Sequence, residues 1–312
     1  MRLVFMGSPD FSVPSLRALA QAHEVIGVVT QPDRPAGRGR ALTPPPVKVA
    51  ALSMGLPVFQ PHRLRATDAT QVVWDWSPDL IVVAAFGQIL REPILDLPRF
   101  GCLNVHASLL PRWRGASPVQ AALRAGDSTT GITIMKMDPG MDTGAILAQA
   151  SLPVEDSDTG GTLTARLAPL GASLLIETLP VYLEAGLTPT LQDESLVTLA
   201  PLLKKVDGRL DFGQRAAELE RQIRAFDPWP GTFLEWQGRR IGILRGRAVS
   251  SLHLPIGELA ELAGFPAVGT CEGALVLEVL RPSGRQAIPG DAFLRGTPAF
   301  ASGKLSPREG AG

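Results

Sequence analysis

Apolar positions in the first half of the chain gather into short runs, Leu3–Met6, Val25–Thr30, Leu80–Ala85 and Cys102–His106. Runs of this length without polar alternation predict strands buried on both faces. Between them, mixed patterns predict helices over Val13–Gln21, Pro46–Met54 and Asp68–Trp76, with Asp10 or Ser12 as cap of the first and Pro14 in its opening turn. Strand–helix alternation of this kind predicts an α/β fold, a doubly wound, mostly parallel sheet with right-handed crossovers. Such sheets bind ligands beyond the carboxyl ends of their strands, which singles out loops 7–12, 31–45, 86–92, 107–117 and 138–144.

A helix is expected from Thr162 to Glu184, with Pro169 and Pro180 as points where it breaks or bends, and Gly186–Leu202 reads as a connector. Arg215–Phe226 reads as a helix. Strand-like pieces follow at Thr232–Trp236, Arg240–Leu244, Ala267–Cys271 and Leu275–Leu280, with turns at Gln237-Gly238 and Glu272-Gly273. Short strands at this density predict a small OB-like β-barrel. Gly257–Leu262 fits strand or helix, and the small and polar residues from Ala299 onward predict a frayed tail. The expected division is a catalytic domain over 1–187, a linker over 188–203 and a barrel domain over 204–312, with no internal repeats.

With 45% hydrophobic and 19% charged residues the chain is a folded protein rather than a disordered one. No apolar run approaches the roughly 20 residues of a membrane span, and the N-terminus lacks a signal-peptide pattern. Cys102 and Cys271 stand far apart without CxxC spacing, so neither a disulfide framework nor a structural zinc site is expected, and a reducing cytoplasm fits. Net charge is zero, but residues 204–312 carry 15 Lys+Arg against 12 Asp+Glu. That small surplus supports a modest role for the C-terminal part in binding an anionic partner.

The chemistry concentrates in two stretches. In Asn104-Val105-His106-Ala107-Ser108-Leu109-Leu110-Pro111-Arg112-Trp113-Arg114-Gly115, Asn104 and His106 point to the same side of a strand at its carboxyl end. An amide there can stabilise a developing oxyanion, and an imidazole can donate to it or move protons. In Met137-Asp138-Pro139-Gly140-Met141-Asp142-Thr143-Gly144, a tight loop after the strand Gly131–Met137 presents two carboxylates. Either motif alone has an ordinary explanation, satisfied polar groups in a strand or an Asx turn. Cys102 reads as core, and Trp113 either stacks on a ligand or packs. Gly7-Ser8-Pro9-Asp10 lacks the glycine pattern of a dinucleotide or Walker loop, which argues against a dehydrogenase or ATPase.

These stretches resemble the active site of folate-dependent formyltransferases. The resemblance covers nearly the whole chain and is strongest toward members that act on methionyl-tRNA. Gly7-Ser8-Pro9-Asp10-Phe11, Thr30–Arg40, Gly131–Gly144 and Arg224–Pro230 share it; Ser250–Ala267 does not map cleanly onto the family's barrel strands. It implies Asn104, His106 and Asp142 as a catalytic trio and 10-formyltetrahydrofolate as formyl donor. Ser108, Leu109, Leu110 and Pro111 would line the folate site, and the segment Phe86–Leu90, with Phe86, Gln88 and Leu90, would form part of the pterin pocket. No metal is expected. The implied acceptor is the amine of methionyl-initiator-tRNA, which serves translation initiation, and the implied enzyme is a monomer.

The segment Thr30–Ala41 reads as a solvated loop or as a basic arm that grips RNA; the resemblance favours the arm, with Arg34, Arg38 and Arg40 and with Arg38 foremost. Lys204 and Lys205 are further tRNA candidates, followed by Arg239, Arg240, Arg245 and Arg247. Other readings are formyl transfer to a nucleotide or amino-sugar amine, hydrolysis of the donor, and a non-catalytic RNA-binding protein.

Overall fold

The computed structural model describes residues 1–36, 39, 41–184 and 186–305. The chain divides into two compact units that alternate along the sequence. One comprises Met1–Pro118, Thr129–Pro153 and Thr164–Pro201; the other comprises Val119–Ser128, Val154–Leu163 and the chain from Leu202 on.

The first unit is built on a seven-stranded sheet: β1 Arg2–Gly7, β2 Glu24–Val29, β3 Val58–Phe59, β4 Leu80–Ala84, β5 Cys102–His106, β6 Thr129–Lys136 and β7 Ile146–Pro153. Its order is β7-β6-β5-β4-β1-β2-β3. The pairs from β3 across to β5 are parallel, and β6 and β7 join antiparallel. The chain runs outward from β1 to β3, then returns to β4 on the other side, so the switch point lies between β1 and β4. Every residue of β4 is buried, as a parallel strand covered on both faces requires. Loops at this switch are laced together. The Ser12 hydroxyl donates to the Ala84 carbonyl (2.6 Å), and the Gln31 amide donates to the Phe86 carbonyl (3.1 Å).

The expected helices form as Val13–Ala22, Pro46–Ser53 and Thr67–Trp76. Ser12 stands at the N-cap of the first without a side-chain capping bond, because its hydroxyl serves β4 instead. The short helices Glu92–Leu95 and Pro118–Ala125 and the strand β7 are additions to the sequence reading. The helix Gly160–Leu183 is continuous through Pro169 and Pro180. A proline inside a helix costs about 3 kcal/mol; Leu167, Leu175 and Leu179, all fully buried, oppose that cost through apolar burial.

The second unit holds an antiparallel sheet of β8 Thr232–Trp236, β9 Arg239–Val249, β10 Leu259–Leu262, β11 Phe265–Gly269, β12 Ala274–Pro282 and β13 Ile288–Pro289. Its order is β8-β9-β12-β11-β10, with β13 on β12. Of the stretch Gly257–Leu262, read as strand or helix, Leu259–Leu262 is strand, and Gly257 lies in the turn before it. The turn Gln237-Gly238 has φ of 49° and 69°, the double left-handed geometry of a tight hairpin. The helix Ala216–Ala225 buries Leu219 and Ile223, one turn apart, in the core of this sheet. The frayed-tail expectation fails for the described part of the tail. Phe300 is completely buried, with ring centroids 5.2 Å from both Trp236 (tilted) and Phe293 (edge-to-face), and Leu305 joins the same core. Two large apolar side chains among small ones outweigh the polar composition around them. Residues 306–312 lie outside the described residues.

Among the described residues, no helix is long and apolar enough to cross a membrane, and no cluster of three His, Cys, Asp or Glu side chains is arranged to hold a metal.

Candidate active site

Strand β5 sits in mid-sheet, between parallel β4, which pairs with it as far as Asn104, and antiparallel β6, which pairs with it as far as His106. Asn104 registers with Val83 and Met135, and His106 registers with Thr133. Two-residue periodicity brings the amide and the imidazole to one side. His106 is buried and Asn104 half-buried.

Asp142 arrives from the loop after β6. Its carboxylate Oδ1 accepts from Asn104 Nδ2 (3.2 Å), and its Oδ2 accepts from the Gly115 amide (2.9 Å). His106 Nδ1 lies 3.6 Å from the same Oδ2. The other ring nitrogen, Nε2, is 3.0 Å from the Trp113 carbonyl. A carbonyl oxygen only accepts, so Nε2 carries the hydrogen of this bond. The neutral ring therefore turns the lone pair of Nδ1 toward the carboxylate. In that form Nδ1 and Oδ2 are two acceptors facing one another at 3.6 Å, slightly beyond hydrogen-bond distance, and a proton on Nδ1 turns the same contact into an ion pair.

The second carboxylate of the loop does different work. Asp138 Oδ1 accepts from the Gly140 amide (3.0 Å) and the Thr143 hydroxyl (2.6 Å), an Asx turn that shapes the loop. Trp113 and Asp142 both hold left-handed backbone, with φ of 65° and 55°. Each such residue costs on the order of 1–3 kcal/mol and persists only where its surroundings over-determine it.

Here the over-determining contacts come from the stretch read as a connector. Trp113 donates its amide to the Thr198 hydroxyl (2.8 Å), and the Arg114 amide donates to the Thr198 carbonyl (2.9 Å). Leu199–Ala200 pairs in parallel with Arg114–Gly115. Gln192 donates from Nε2 to the carbonyls of Asp142 and Gly144, both at 2.8 Å. Sequence reasoning missed these residues: Gln192, Thr198 and Glu194 sit in a proline-flanked stretch with no periodicity, and their one signal is a local excess of polar side chains.

The residues expected around the folate are placed differently from one another. Ser108 is fully buried and donates its hydroxyl to the Arg112 carbonyl (2.6 Å), so its side chain shapes the turn. Leu110 is buried, and the Thr133 hydroxyl, which accepts from its amide (3.0 Å), donates to the Ser108 carbonyl (2.7 Å). Leu109 and Pro111 are half-buried. Phe86 and Leu90 point into the core with Val4, Met6 and Val83, and Gln88 accepts from the Leu64 amide (2.7 Å) while donating to the Pro61 carbonyl (3.2 Å). Ala85, Gly87 and Ile89 alternate with them as exposed positions, and Ala85 and Gly87 have positive φ. The segment thus offers backbone rather than its large side chains.

Of the basic candidates, Arg34 is exposed and donates to Gln31 Oε1 (2.9 Å), and Lys204 and Lys205 are exposed. Arg38 and Arg40 lie outside the described residues. Arg245 and Arg247 share the single carboxylate of Glu278 at 2.8 and 3.3 Å, which leaves a positive surplus there. The Arg112 guanidinium covers the Trp113 ring at 4.4 Å. Cys102 is buried, and burial pushes its thiol up to about 12, so it holds its proton. A hollow of about 380 Å³ lined by Trp74, Glu92, Pro93, Asp96 and Leu97 contains none of the expected site residues. It is built by the segment beside Cys102, at the start of β5 rather than its end.

Comparison with known proteins agrees with this architecture. Residues 1–179 match the family model described as formyl transferase, and residues 202–298 match that of the formyl transferase C-terminal domain. The methionyl-tRNA formyltransferase of Chloroflexus aurantiacus is 45% identical over 305 residues, 96% of this chain and 98% of that protein. That of Chloroflexus aggregans is 46% identical with the same coverage. Among solved structures, an N-formyltransferase of Helicobacter canadensis, in complex with folinic acid and dTDP-3-aminofucose, superposes with a TM-score of 0.64 at 15% identity, covering 88% of this chain and 98% of that one. At that identity the likeness establishes the fold alone. The family models and the curated relatives go further: this chain belongs to the formyl transferase family.

Proposed function

We propose that the chain transfers the formyl group of 10-formyltetrahydrofolate to the amino group of methionyl-initiator-tRNA, and that Asn104, His106 and Asp142 carry the reaction. The observation that supports the chemistry most directly is the convergence of an amide and an imidazole on one carboxylate at the carboxyl end of β5. The acceptor is inferred from relatives of 45–46% identity whose name is methionyl-tRNA formyltransferase.

Bound folate supplies an activated formyl carbon on a nitrogen able to leave. Asn104 donates one N–H to Asp142, and the second has no partner among the described residues, which leaves it for the formyl oxygen as negative charge develops. The incoming amine must lose a proton as it attacks. Asp142 Oδ2 and His106 Nδ1 form the pair that accepts it, since both present lone pairs and Nε2 is already committed to Trp113. As the bond from the formyl carbon to the folate nitrogen breaks, protonated His106 Nδ1 returns a proton to that nitrogen. The outward backbone at Ala85, Gly87 and Ile89 suits the polar edge of a pterin, with Phe86 and Leu90 as its apolar footing. Ser108, Leu109, Leu110 and Pro111 then act mainly by shaping the turn that closes the folate side.

Arg34, Arg38 and Arg40 form the arm that meets the tRNA, and Lys204 and Lys205 add phosphate contacts at the start of the C-terminal domain (204–312), the catalytic domain being 1–187. The enzyme acts in the cytoplasm. The test is turnover of purified full-length protein with 10-formyltetrahydrofolate and either methionyl-initiator-tRNA or a dTDP-amino sugar, at two salt concentrations. Formylated methionyl-tRNA as the dominant product, with strong salt sensitivity, is expected. Faster formylation of the sugar would overturn the acceptor assignment.

A further inference from the structure

We infer that Gln192 is a positioning residue that sets the Asp142 carboxylate through a side-chain relay, Glu194–Arg114–Gln192, buried at Arg114 and exposed at Glu194. The inference rests on the role proposed above for Asp142 and extends it to a part of the chain that no catalytic assignment touches.

The two site loops, 113–115 and 138–144, follow the carboxyl ends of β5 and β6, which run antiparallel, yet Asp142 must meet both Asn104 and His106. Its left-handed backbone, at φ 55°, does not hold itself. Gln192 supplies the external hold, because its Nε2 donates to the carbonyls of Asp142 and Gly144 and so grips the loop on either side of Thr143. Its Oε1 accepts from Arg114 Nε at 2.9 Å, which fixes the amide's orientation. Arg114, only 4% exposed, completes a fork onto Glu194 with bonds of 2.8 and 3.1 Å. Arg114 is also the neighbour of Gly115, whose amide binds the Asp142 carboxylate. One residue's side chain thus reaches the Asp142 backbone through Gln192, while the next residue's amide takes the Asp142 side chain. The relay closes a ring that registers one loop against the other. Hydrogen bonds within the 138–144 loop cannot do this: those of Asp138 shape that loop alone.

The proposal is tested with full-length Gln192→Ala, Gln192→Glu, Asp142→Ala and the Gln192→Ala/Asp142→Ala double variant. Single-turnover rates, kcat and both KM values are measured. Gln192→Glu keeps the acceptor for Arg114 and loses both donors, so it decides the matter if Gln192→Ala fails to fold. Misplacing a reacting group by about 1 Å costs on the order of 10²-fold, so both Gln192 variants are expected to lose roughly 10- to 100-fold in kcat with KM nearly unchanged. Adding Gln192→Ala to Asp142→Ala is expected to cost less than about twofold more, because residues acting through one another are not additive. Near wild-type kcat in Gln192→Glu beside an inactive Asp142→Ala overturns this inference alone, as does a full additive loss in the double variant or a rise in KM that accounts for the whole effect. Wild-type turnover in Asp142→Ala overturns the site assignment beneath it.

Discussion

The Gly115 amide donates to Asp142 Oδ2 at 2.9 Å, from a backbone that runs at φ 122° and passes so close to the Ala200 carbonyl that a Cβ on Gly115 would lie 2.5 Å from that oxygen. A loop glycine, a catalytic candidate and the strand-like end of a presumed connector are therefore one structural unit. Glycine is required here twice over, for its conformation and for the space.

Gly115→Ala is accordingly expected to displace the amide from Asp142. Turnover should fall by about 10²-fold, as for misplacement of a reacting group. The backbone strain should cost on the order of 1–3 kcal/mol. Steady-state kinetics together with a thermal melt measure both; an unchanged kcat would separate Asp142 from this loop.

Asn104→Ala, His106→Ala and Asp142→Ala should each fold and lose about 10²–10³ in rate, the usual effect of removing one transition-state donor or its partner. Asp138→Ala provides the contrast. Its carboxylate serves the Gly140 amide and the Thr143 hydroxyl, so the loss should be smaller and accompanied by a lower melting temperature. Equal rate losses in Asp138→Ala and Asp142→Ala would contradict the division of labour between the two carboxylates.

Acid should loosen the relay from its exposed end. Hydrogen bonds from the Arg114 guanidinium hold the Glu194 carboxyl below the ordinary carboxylate range, against some desolvation. A group whose pKa is lowered on folding contributes stability that is present above its unfolded pKa and lost as pH falls through the folded one. Melting temperature and kcat are therefore expected to hold from neutrality down to the ordinary carboxylate range and to decline below it. Asp33, held low first by the Gln60 amide and then by Lys48, titrates in the same direction. Comparing Glu194→Gln with wild type across pH 3–7 isolates the relay: the variant should lose part of the acid-dependent decline, and superimposable profiles would remove Glu194 from it.

Phe300→Ala tests the described end of the chain. Truncating a fully buried phenylalanine typically costs about 3–5 kcal/mol. The ring contacts to Trp236 and Phe293 place that loss in the core of the second unit. Calorimetry should show a lowered transition, whereas an unchanged melt would mean that this segment packs only loosely.

Read from residues alone, β1, β2, β4 and β5 were already apparent, because a strand buried on both faces needs a local run of apolar side chains and nothing from elsewhere. The same local rule set Asn104 and His106 on one side of β5, and the resemblance to formyltransferases named Asp142 as their partner. The two prolines inside the Gly160–Leu183 helix misled, since propensity records the cost of proline and not the burial that opposes it. Phe300 misled for the same reason, its burial being invisible amid small and polar neighbours.

What the tertiary structure alone decided is how the carboxylate is held. Gln192 and Asp142 are 50 residues apart, and Arg114 and Glu194 are 80 apart. Periodicity reports which face of a segment is buried; it carries no information about which distant segment covers that face. The sense of the His106 ring was equally hidden, since it depends on a single carbonyl at Trp113 brought round by a left-handed turn. The chain's own pattern thus determined the sheet and the side of β5 on which Asn104 and His106 lie. Long-range packing determined their spacing from Asp142, because hydrogen bonds between loops exist only after the sheet has brought those loops together.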